Sequence, residues 1–539
     1  MSVNPRWLGL AATVLLAASG FLAGKPVPHD GAWVLGVVVW FVALAMLIRA
    51  WWTLRDETDQ RSVLVTAVLW SVPLLLAPPL GSHDVYAYAC QGQLFNAGLD
   101  LYQVGPAALP CTWLSDVPEL WRETPTPYGP LWIAIEGAAA WLSHGSLPAV
   151  VLLLRLAAVL GLVLCVAAVH RLSRGNALLA ASPLVLVHVV SGAHNDVVLA
   201  GLVLAGFVAA RRPGAAPAAA GGLAFGLAVA VKVTALAAVP FALLLVFSAG
   251  TTRARWTGTA AFVTAIGAAY ALLALLTGHG LGFLNALGST STMVQWLSIP
   301  TGVGMAAGYV LRIAGHPEWF ATAVAVARAA GLLALATVLL VLWWRTATTL
   351  VALHRAGRRA GDGRSDTGAA PTGPTARPGQ DPAATATDRH GHDVTVTATG
   401  GRGQDVTVTA TGGQAVAATA PGMRGQDVVL TAAGCGMLAA AVLGPVFYAW
   451  YAIAGIALLA GTTLTGRLRT VVLVAAAGLP LLTLPDSLGL ATKTKVPGAF
   501  LDVALVTAAV VHLLRRRRRP AAPAASAPAA VSEPTTDRP

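Results

Sequence analysis

The amino-acid sequence predicts an all-α polytopic membrane protein of about 14 transmembrane helices. Three observations predict it. Of 539 residues, 56% are hydrophobic and only 11% charged, with a mean hydropathy of +0.69, too little polar side chain to cover a soluble globule of this size. Apolar runs of about 20 residues, the length that crosses a bilayer, recur along the chain. Arginine clusters flank those runs, as the positive-inside rule requires.

The formal net charge of +12 is therefore read as orientation and contact with lipid headgroups. No base-reading motif or stacking platform accompanies it, which argues against nucleic acid as a partner. Of the four cysteines, Cys165 and Cys435 lie inside apolar runs, so there is no disulfide framework. Cys90 and Cys111 share one loop and can pair if it faces an oxidising compartment.

Spans are expected near 7–24, 32–50 and 62–79. The first is kept as a span because a second apolar run follows at once, unlike a cleaved signal peptide. Arg6, Arg49, Arg55 and Arg61 place the N-terminus and the second connection in the cytoplasm. The loop at 81–147 then emerges on the opposite side. Within it, 129–142 is short and carries Trp132, Glu136 and Trp141, which suits an interfacial or re-entrant helix.

Further spans are read at 149–169, 176–193 and 196–210, the last two meeting at SGAHND, and then across 221–248. The VKVT interruption divides that stretch into two tightly joined spans with Lys232 near the outer apex; one long tilted helix is the alternative. Spans at 257–276 and 321–344 follow, with 301–315 left open. Residues 1–344 thus form a transmembrane core. Residues 345–427 are rich in Gly, Ala, Thr, Pro and Arg, and GHDVTVTATGG at 391 recurs as GQDVTVTATGG at 403. Two or three such short units have no core to stack, so a disordered cytoplasmic insert is expected, with strand pairing of the VTVT segments as the lesser alternative. The C-terminal helices, within 428–514, are read at 428–446, 448–464, 470–486 and 498–514. Five arginines and an Ala/Pro-rich cytoplasmic tail close the chain at 515–539.

On this topology four features gather on the outer face: the loop with Asp84, the His194-Asn195-Asp196 turn, Lys232, and the Tyr448-Trp450-Tyr451 turn. Ionisable groups at the edge of a bilayer are site candidates by default. Asp84 opens a helix, where it can serve as a cap, as a general base with a pKa raised by an apolar setting, or as both. His194, Asn195 and Asp196 can cap the following helix or take part in a metal sphere, although no H-x3-H or D-x-D pattern accompanies them. Lys232 either snorkels or neutralises a lipid phosphate; Arg155 and Arg312 are weaker candidates for that task. The three aromatics form either an interfacial belt or a stacking surface for sugar rings or a prenyl chain.

The spacing Asp84-Val-Tyr86-x-Tyr88, Gly92, Gly98-Leu-Asp100-Leu-Tyr102 and Tyr128-Gly-Pro130-Leu131-Trp132 resembles the first outer loop of C-type (GT-C) glycosyltransferases that use polyprenyl-phosphate sugars. The nearest resemblance is to the actinobacterial polyprenol-phosphomannose-dependent α-1,6-mannosyltransferases of the lipomannan core, and GAHND, TGHGLGFLNALG and PVFYAWY share it. The resemblance implies a GT-C-like bundle with interfacial helices in the first outer loop, and a multi-pass enzyme of the plasma membrane with both termini cytoplasmic. It implies Asp84 as catalytic base and α-mannosyl transfer from a lipid-linked donor; on the reading of the outer face, a polyprenyl-phosphate-mannose donor and a mannan or glycolipid acceptor are expected among His83, Tyr88, Tyr128, His194, Asn195, Asp196, Lys232, Tyr448, Trp450 and Tyr451. A single-phosphate leaving group makes a metal less necessary than a nucleotide sugar does, so no cofactor is expected, with a divalent metal left open. A transferase for lipid-linked arabinose or glucose shares the layout. A transporter or lipid flippase is the rival class, because helices with polar interruptions also build midplane substrate sites.

Overall fold

A computed structural model of the chain describes residues 4–24, 30–173, 177–289, 292–362, 384–387, 393–397, 407–410, 421–486 and 489–517. The first three helices are α1 (Pro5–Ala23), α2 (Gly31–Thr53) and α3 (Gln60–Leu76). Each begins where a side-chain oxygen of Asn4, Asp30 or Asp59 accepts a backbone N–H of the first turn, which satisfies a donor the helix leaves orphaned. The outer loop contributes α4 (Asp84–Asn96), the short α5 (Glu119–Arg122) and α6 (Pro130–Leu142). A long helix, α7 (Leu147–Ser173), follows.

Next the chain breaks twice. α8 (Pro183–Val185) runs into a π-helical turn, Leu186–Ser191, and α9 (Asp196–Ala210) leaves it at a bend of 111°. Ala193 sits at the bend with φ of 56°, a left-handed conformation that a residue bearing Cβ adopts at a cost. α10 (Ala215–Val231) stops at Lys232, whose backbone is extended, and a 3-10 turn over Val233–Ala238 leads into α11 (Val239–Ser248). The chain doubles back here. A Cβ placed on Gly258 would lie 3.3 Å from Val246 near the end of α11 and 3.6 Å from Ala218 near the start of α10. The two segments are thus an antiparallel pair with Lys232 at its apex, and the single tilted helix is excluded.

α12 (Thr252–Thr277), the short α13 (Phe283–Ser289), α14 (Ile299–Ile313) and the 43-residue α15 (Phe320–Asp362) complete the first part. In the insert, β1 (Ala384–Thr387), β2 (Asp393–Thr397) and β3 (Thr407–Ala410) form an antiparallel sheet in the order β1-β2-β3. The two copies of the repeat pair with each other, Val394 opposite Ala410 and Val396 opposite Val408. The pairing given second place on sequence grounds is therefore formed; the other insert residues beyond Asp362, up to Ala420, lie outside the described residues, as do 518–539. α16 (Pro421–Leu443), α17 (Ile453–Ala460, reached through a 3-10 turn over Ala449–Ala452), α18 (Gly466–Gly478), α19 (Leu490–Lys493) and α20 (Lys495–Arg517) close the chain.

The protein is an all-α, multi-pass membrane protein apart from that small sheet. Among the described residues, seven helices are long and apolar enough to cross a membrane alone (α1, α2, α7, α12, α15, α16 and α20), or eight if the bent pair of α8 and α9 counts as one. This count is below the expected number of about 14 spans, because runs such as 62–79, 176–193 and 221–248 are realised as helices of 17 residues or fewer, or as broken ones. The arginine clusters do meet on one side. Arg469 donates to the Arg55 carbonyl and to Asp56 at 2.9 Å, Arg211 donates to the Arg171 carbonyl at 2.9 Å, and Arg6 reaches Ser62.

Candidate active site

Four stretches distant in sequence converge on Asp84: the outer loop, the break before α9, the break after α10 and the turn between α16 and α17. Non-helical backbone at membrane depth is tolerated only where protein or a water-filled cavity surrounds it, so convergent breaks mark a site. Asp84 is the first residue of α4 and is only 7% exposed. The chain enters it through Gly81, whose φ of +70° favours glycine and whose missing Cβ leaves room for His188 and Val187. The Trp121 indole N–H on α5 donates to Asp84 Oδ1 at 3.0 Å, and the Asp84 backbone N–H donates to Ser82 Oγ at 3.2 Å. Burial pushes the Asp84 carboxyl up to about 6, and donors from Trp121 and Ser82 together with the Lys232 charge hold it from going further.

Asp84 Oδ2 lies 3.9 Å from His194 Nδ1, too long for a hydrogen bond. The His194 ring is fully buried and stacks on Trp450 at 3.8 Å; Trp450 stacks in turn on Tyr448 at 4.7 Å. Three predicted residues thus form one column of rings behind the carboxylate. His188, from the π-helical turn, stands beside the column, 5.2 Å from Trp450 between ring centres. Neither His188, His194 nor Asn195 has a hydrogen-bond partner for its side-chain polar atoms. Buried polar atoms without protein partners are costly, so their concentration here marks a place built for polar contacts.

Lys232 and Asp196 meet across the two breaks. The Nζ donates to Asp196 Oδ1 at 2.9 Å and sits 3.9 Å above the Tyr451 ring and 5.9 Å from that of Tyr128. Lys232 is only 8% exposed, so the snorkelling alternative is set aside. An ammonium carries three donors, and Asp196 takes one of them. The second Asp196 oxygen has no partner. Tyr128 is fixed by its neighbours: its hydroxyl lies 3.3 Å from that of Tyr88, its carbonyl accepts from Tyr102, and the next residue, Gly129, packs directly on the Ala230 backbone. A cavity of about 150 Å³ opens beside the pair, lined by Trp121, Asp196, Lys232 and Tyr451 on one side and by Met293, Met437 and Val446 on the other.

Nine of the ten expected binding residues belong to this cluster. His83 does not: its ring packs edge-on against Tyr86 at 5.3 Å, and burial lowers its pKa against the opposing effect of a hydrogen bond with the Gly24 backbone. Arg155 is not a phosphate ligand here either. Its guanidinium donates to the carbonyls of Ser191, Leu75 and Ala77, each at 2.9 Å, and so ties the end of α3 to the break before α9. Arg312 lies over Phe320 at 5.5 Å, remote from Asp84 in the fold. Cys90 and Cys111 are disulfide-bonded, which fastens α4 to the loop that carries Trp121. Trp121 and His188 were not singled out in the sequence. A lone histidine within the apolar run LVLVHVV was the available signal for His188; for Trp121 there was none beyond its place in a polar loop.

A family model described as Alpha-(1->6)-mannopyranosyltransferase, N-terminal domain, matches residues 6–248, and an MptB C-terminal domain matches residues 396–514. An alpha-(1->6)-mannopyranosyltransferase A of Mycobacterium tuberculosis is 32% identical over 64% of this chain and 72% of its own length. The chain belongs to the alpha-(1->6)-mannopyranosyltransferase family. Similar family members include a probable alpha-(1->6)-mannopyranosyltransferase of Mycolicibacterium smegmatis, 33% identical over 65% of this chain and 73% of its own length. An alpha-(1->6)-mannopyranosyltransferase B of Corynebacterium glutamicum is 30% identical over 49% of the chain and 48% of its own length. No solved structure matches. This mannosyltransferase is therefore an enzyme that takes a sugar donor and a glycan acceptor, not a transporter or flippase, and its N-terminal match contains Asp84, the His194-Asn195-Asp196 turn and Lys232.

Proposed function

We propose that the transferase moves mannose from a polyprenyl-phosphate-mannose donor to a hydroxyl of a mannan or lipoglycan acceptor, on the extracytoplasmic face of the plasma membrane, forming α-1,6 linkages. The observation that carries this reading is the Asp84 carboxylate, buried and bonded by Trp121, near a Lys232–Asp196 pair that, with Trp121, lines a largely apolar cavity. A carboxyl with a pKa of about 6 is ionised near neutral pH yet basic enough to accept a proton in the transition state.

In the proposed step an acceptor hydroxyl oxygen attacks the anomeric carbon, and its proton passes to Asp84. The bond from that carbon to the lipid phosphate breaks on the opposite face, so a β-linked donor gives an α product. Charge grows on the departing phosphate, where a preorganised ammonium such as Lys232 stabilises it. The apolar walls of the cavity suit the first units of a prenyl chain, and Tyr448, the end ring of the column, is the one suited to a sugar face, since Trp450 is stacked between His194 and Tyr448. The arginine contacts of Arg469 with Arg55 and of Arg211 with Arg171 support a cytoplasmic assignment for the surface that carries them.

The test is reconstitution with a panel of lipid-phosphate sugars, followed by linkage analysis of the product. Mannose transfer in α-1,6 linkage, lost on Asp84→Asn by a factor of about 10² to 10⁴ while folding is kept, is expected. Transfer of arabinose or glucose instead, or an Asp84→Asn variant with unchanged turnover, would sink the assignment.

A further inference from the structure

A second cavity, of about 500 Å³, lies at the other end of the α10–α11 pair from Lys232. α11 closes one side with Leu244, Phe247 and Ser248, the first turn of α12 brings Arg255, and the late turns of α15 bring Trp343, Ala347, Leu350, Val351, His354 and Arg355. From Lys232 the chain descends through six residues of 3-10 helix and ten of α-helix to reach it, on the order of 25 Å. The groove is thus remote from Asp84 and takes no part in the proposed sugar transfer.

Its chemistry is that of a phospholipid in outline. The floor is apolar, and the rim carries Arg255, His354 and Arg355 with no acidic residue among the lining side chains. The Arg255 Nε is buried and has no hydrogen-bond partner. A guanidinium nitrogen shielded from water and left unpaired is costly, and phosphate oxygens match its planar donors. Depth in the bilayer is marked by Trp256 and Trp344, each 63% exposed and each next in sequence to a lining residue, the placement of an interfacial aromatic belt. A groove whose charged rim stands at headgroup level, and whose apolar floor runs towards the hydrocarbon, meets lipid before it meets anything else. Basic pockets of this kind between transmembrane helices take anionic headgroups, and the volume falls within the roughly 300–1,000 Å³ of small-ligand sites.

We propose that this groove holds one anionic phospholipid of the surrounding bilayer, its phosphate on Arg255 and Arg355 and one acyl chain along Phe247, Trp343 and Ala347. The full-length protein, exposed to vesicles of phosphatidylglycerol or phosphatidylcholine and then examined by native mass spectrometry, tests this. One phosphatidylglycerol retained per chain is expected, with phosphatidylcholine retained at least about tenfold less, the preference a charge-assisted contact supports. The double variant Arg255→Gln/Arg355→Gln should lose that preference. Ala347→Trp fills the groove and keeps both arginines, so it should lose the lipid as well, which keeps the test decisive if the double variant fails to fold. Equal retention of the two lipids by the unmodified protein, an undiminished preference for phosphatidylglycerol in the double variant, phosphatidylglycerol still bound by Ala347→Trp, or displacement of the lipid by inorganic phosphate alone would overturn the proposal.

Discussion

Asp84 holds an ionisable group at the edge of its useful range, and among the side chains that lower its pKa against burial, Trp121 comes first. The indole N–H bonds the ionised carboxylate and so favours it. Trp121→Phe keeps the ring and removes that donor, which raises the Asp84 pKa above about 6. The sign follows directly. A base is active when deprotonated, so the limb of the rate profile that rises with pH should move to higher pH in the variant, while the rate well above the limb falls less. A pH profile of mannosyl transfer by the two proteins checks it. The place of Asp84 in the buried cluster was legible because a carboxylate beside a membrane run, followed by tyrosines and glycines at fixed spacing, already stands out in one dimension. The partnership of Lys232 with Asp196 was not legible. They are 36 residues apart, and only the meeting of two helix breaks brings an ammonium onto a particular oxygen. Lys232→Met should therefore do two things: weaken donor use, read as a higher KM for the lipid sugar, and cost about 3–5 kcal/mol by leaving Asp196 buried without its partner, read as a lower Tm. Lys232→Met/Asp196→Leu should recover much of the Tm and none of the donor binding.

At the scale of the element, the outer loop keeps its shape through a bond between its two halves. Cys90 lies in the middle of α4 and Cys111 on the way to α5, 21 residues later. A closed loop of that length stabilises the fold by about 3 kcal/mol. Cys90→Ser/Cys111→Ser should lower the Tm and reduce transfer together, because α5 carries the Trp121 donor; a thermal melt and a rate assay on the same preparation check both. The insert behaves differently. Its repeat was recognisable as a duplication of 12 residues, and reading it as disordered was reasonable because two units enclose no core. What composition did not reveal is that alternate Val and Thr in both copies let each supply a strand to the other, β2 against β3. Deletion of 365–420 leaves α15 and α16 to be joined by a short link and touches none of the residues around Asp84. The expected outcome is unchanged kcat in the membrane assay.

At the scale of the whole molecule, arginine placement carried more information than helix length did. The clusters beside the apolar runs meet at one end of the bundle, whereas the number of long helices falls well short of the apolar runs counted in the sequence. The reason is physical: hydropathy reports which residues avoid water, and it is silent about where a helix is interrupted within the membrane. The breaks at His194 and Lys232 were visible as polar residues in apolar stretches, and the return at Lys232 was expected as two tightly joined spans; the 111° bend before α9 was not. The proposed orientation makes a direct prediction. In whole cells, Ser115→Cys should react with an impermeant thiol reagent and Thr58→Cys only after permeabilisation; the reverse pattern would invert the topology. A mechanical reading also follows from Arg155. Its three bonds grip carbonyls from the end of α3 and from the turn before α9, yet the residue itself belongs to α7. Rotation or axial sliding of α7 therefore drags the backbone that carries the ring column. The site is geared to a helix that supplies it with no side chain, so lateral pressure from the bilayer on α7 has a lever on the spacing between Asp84 and His194.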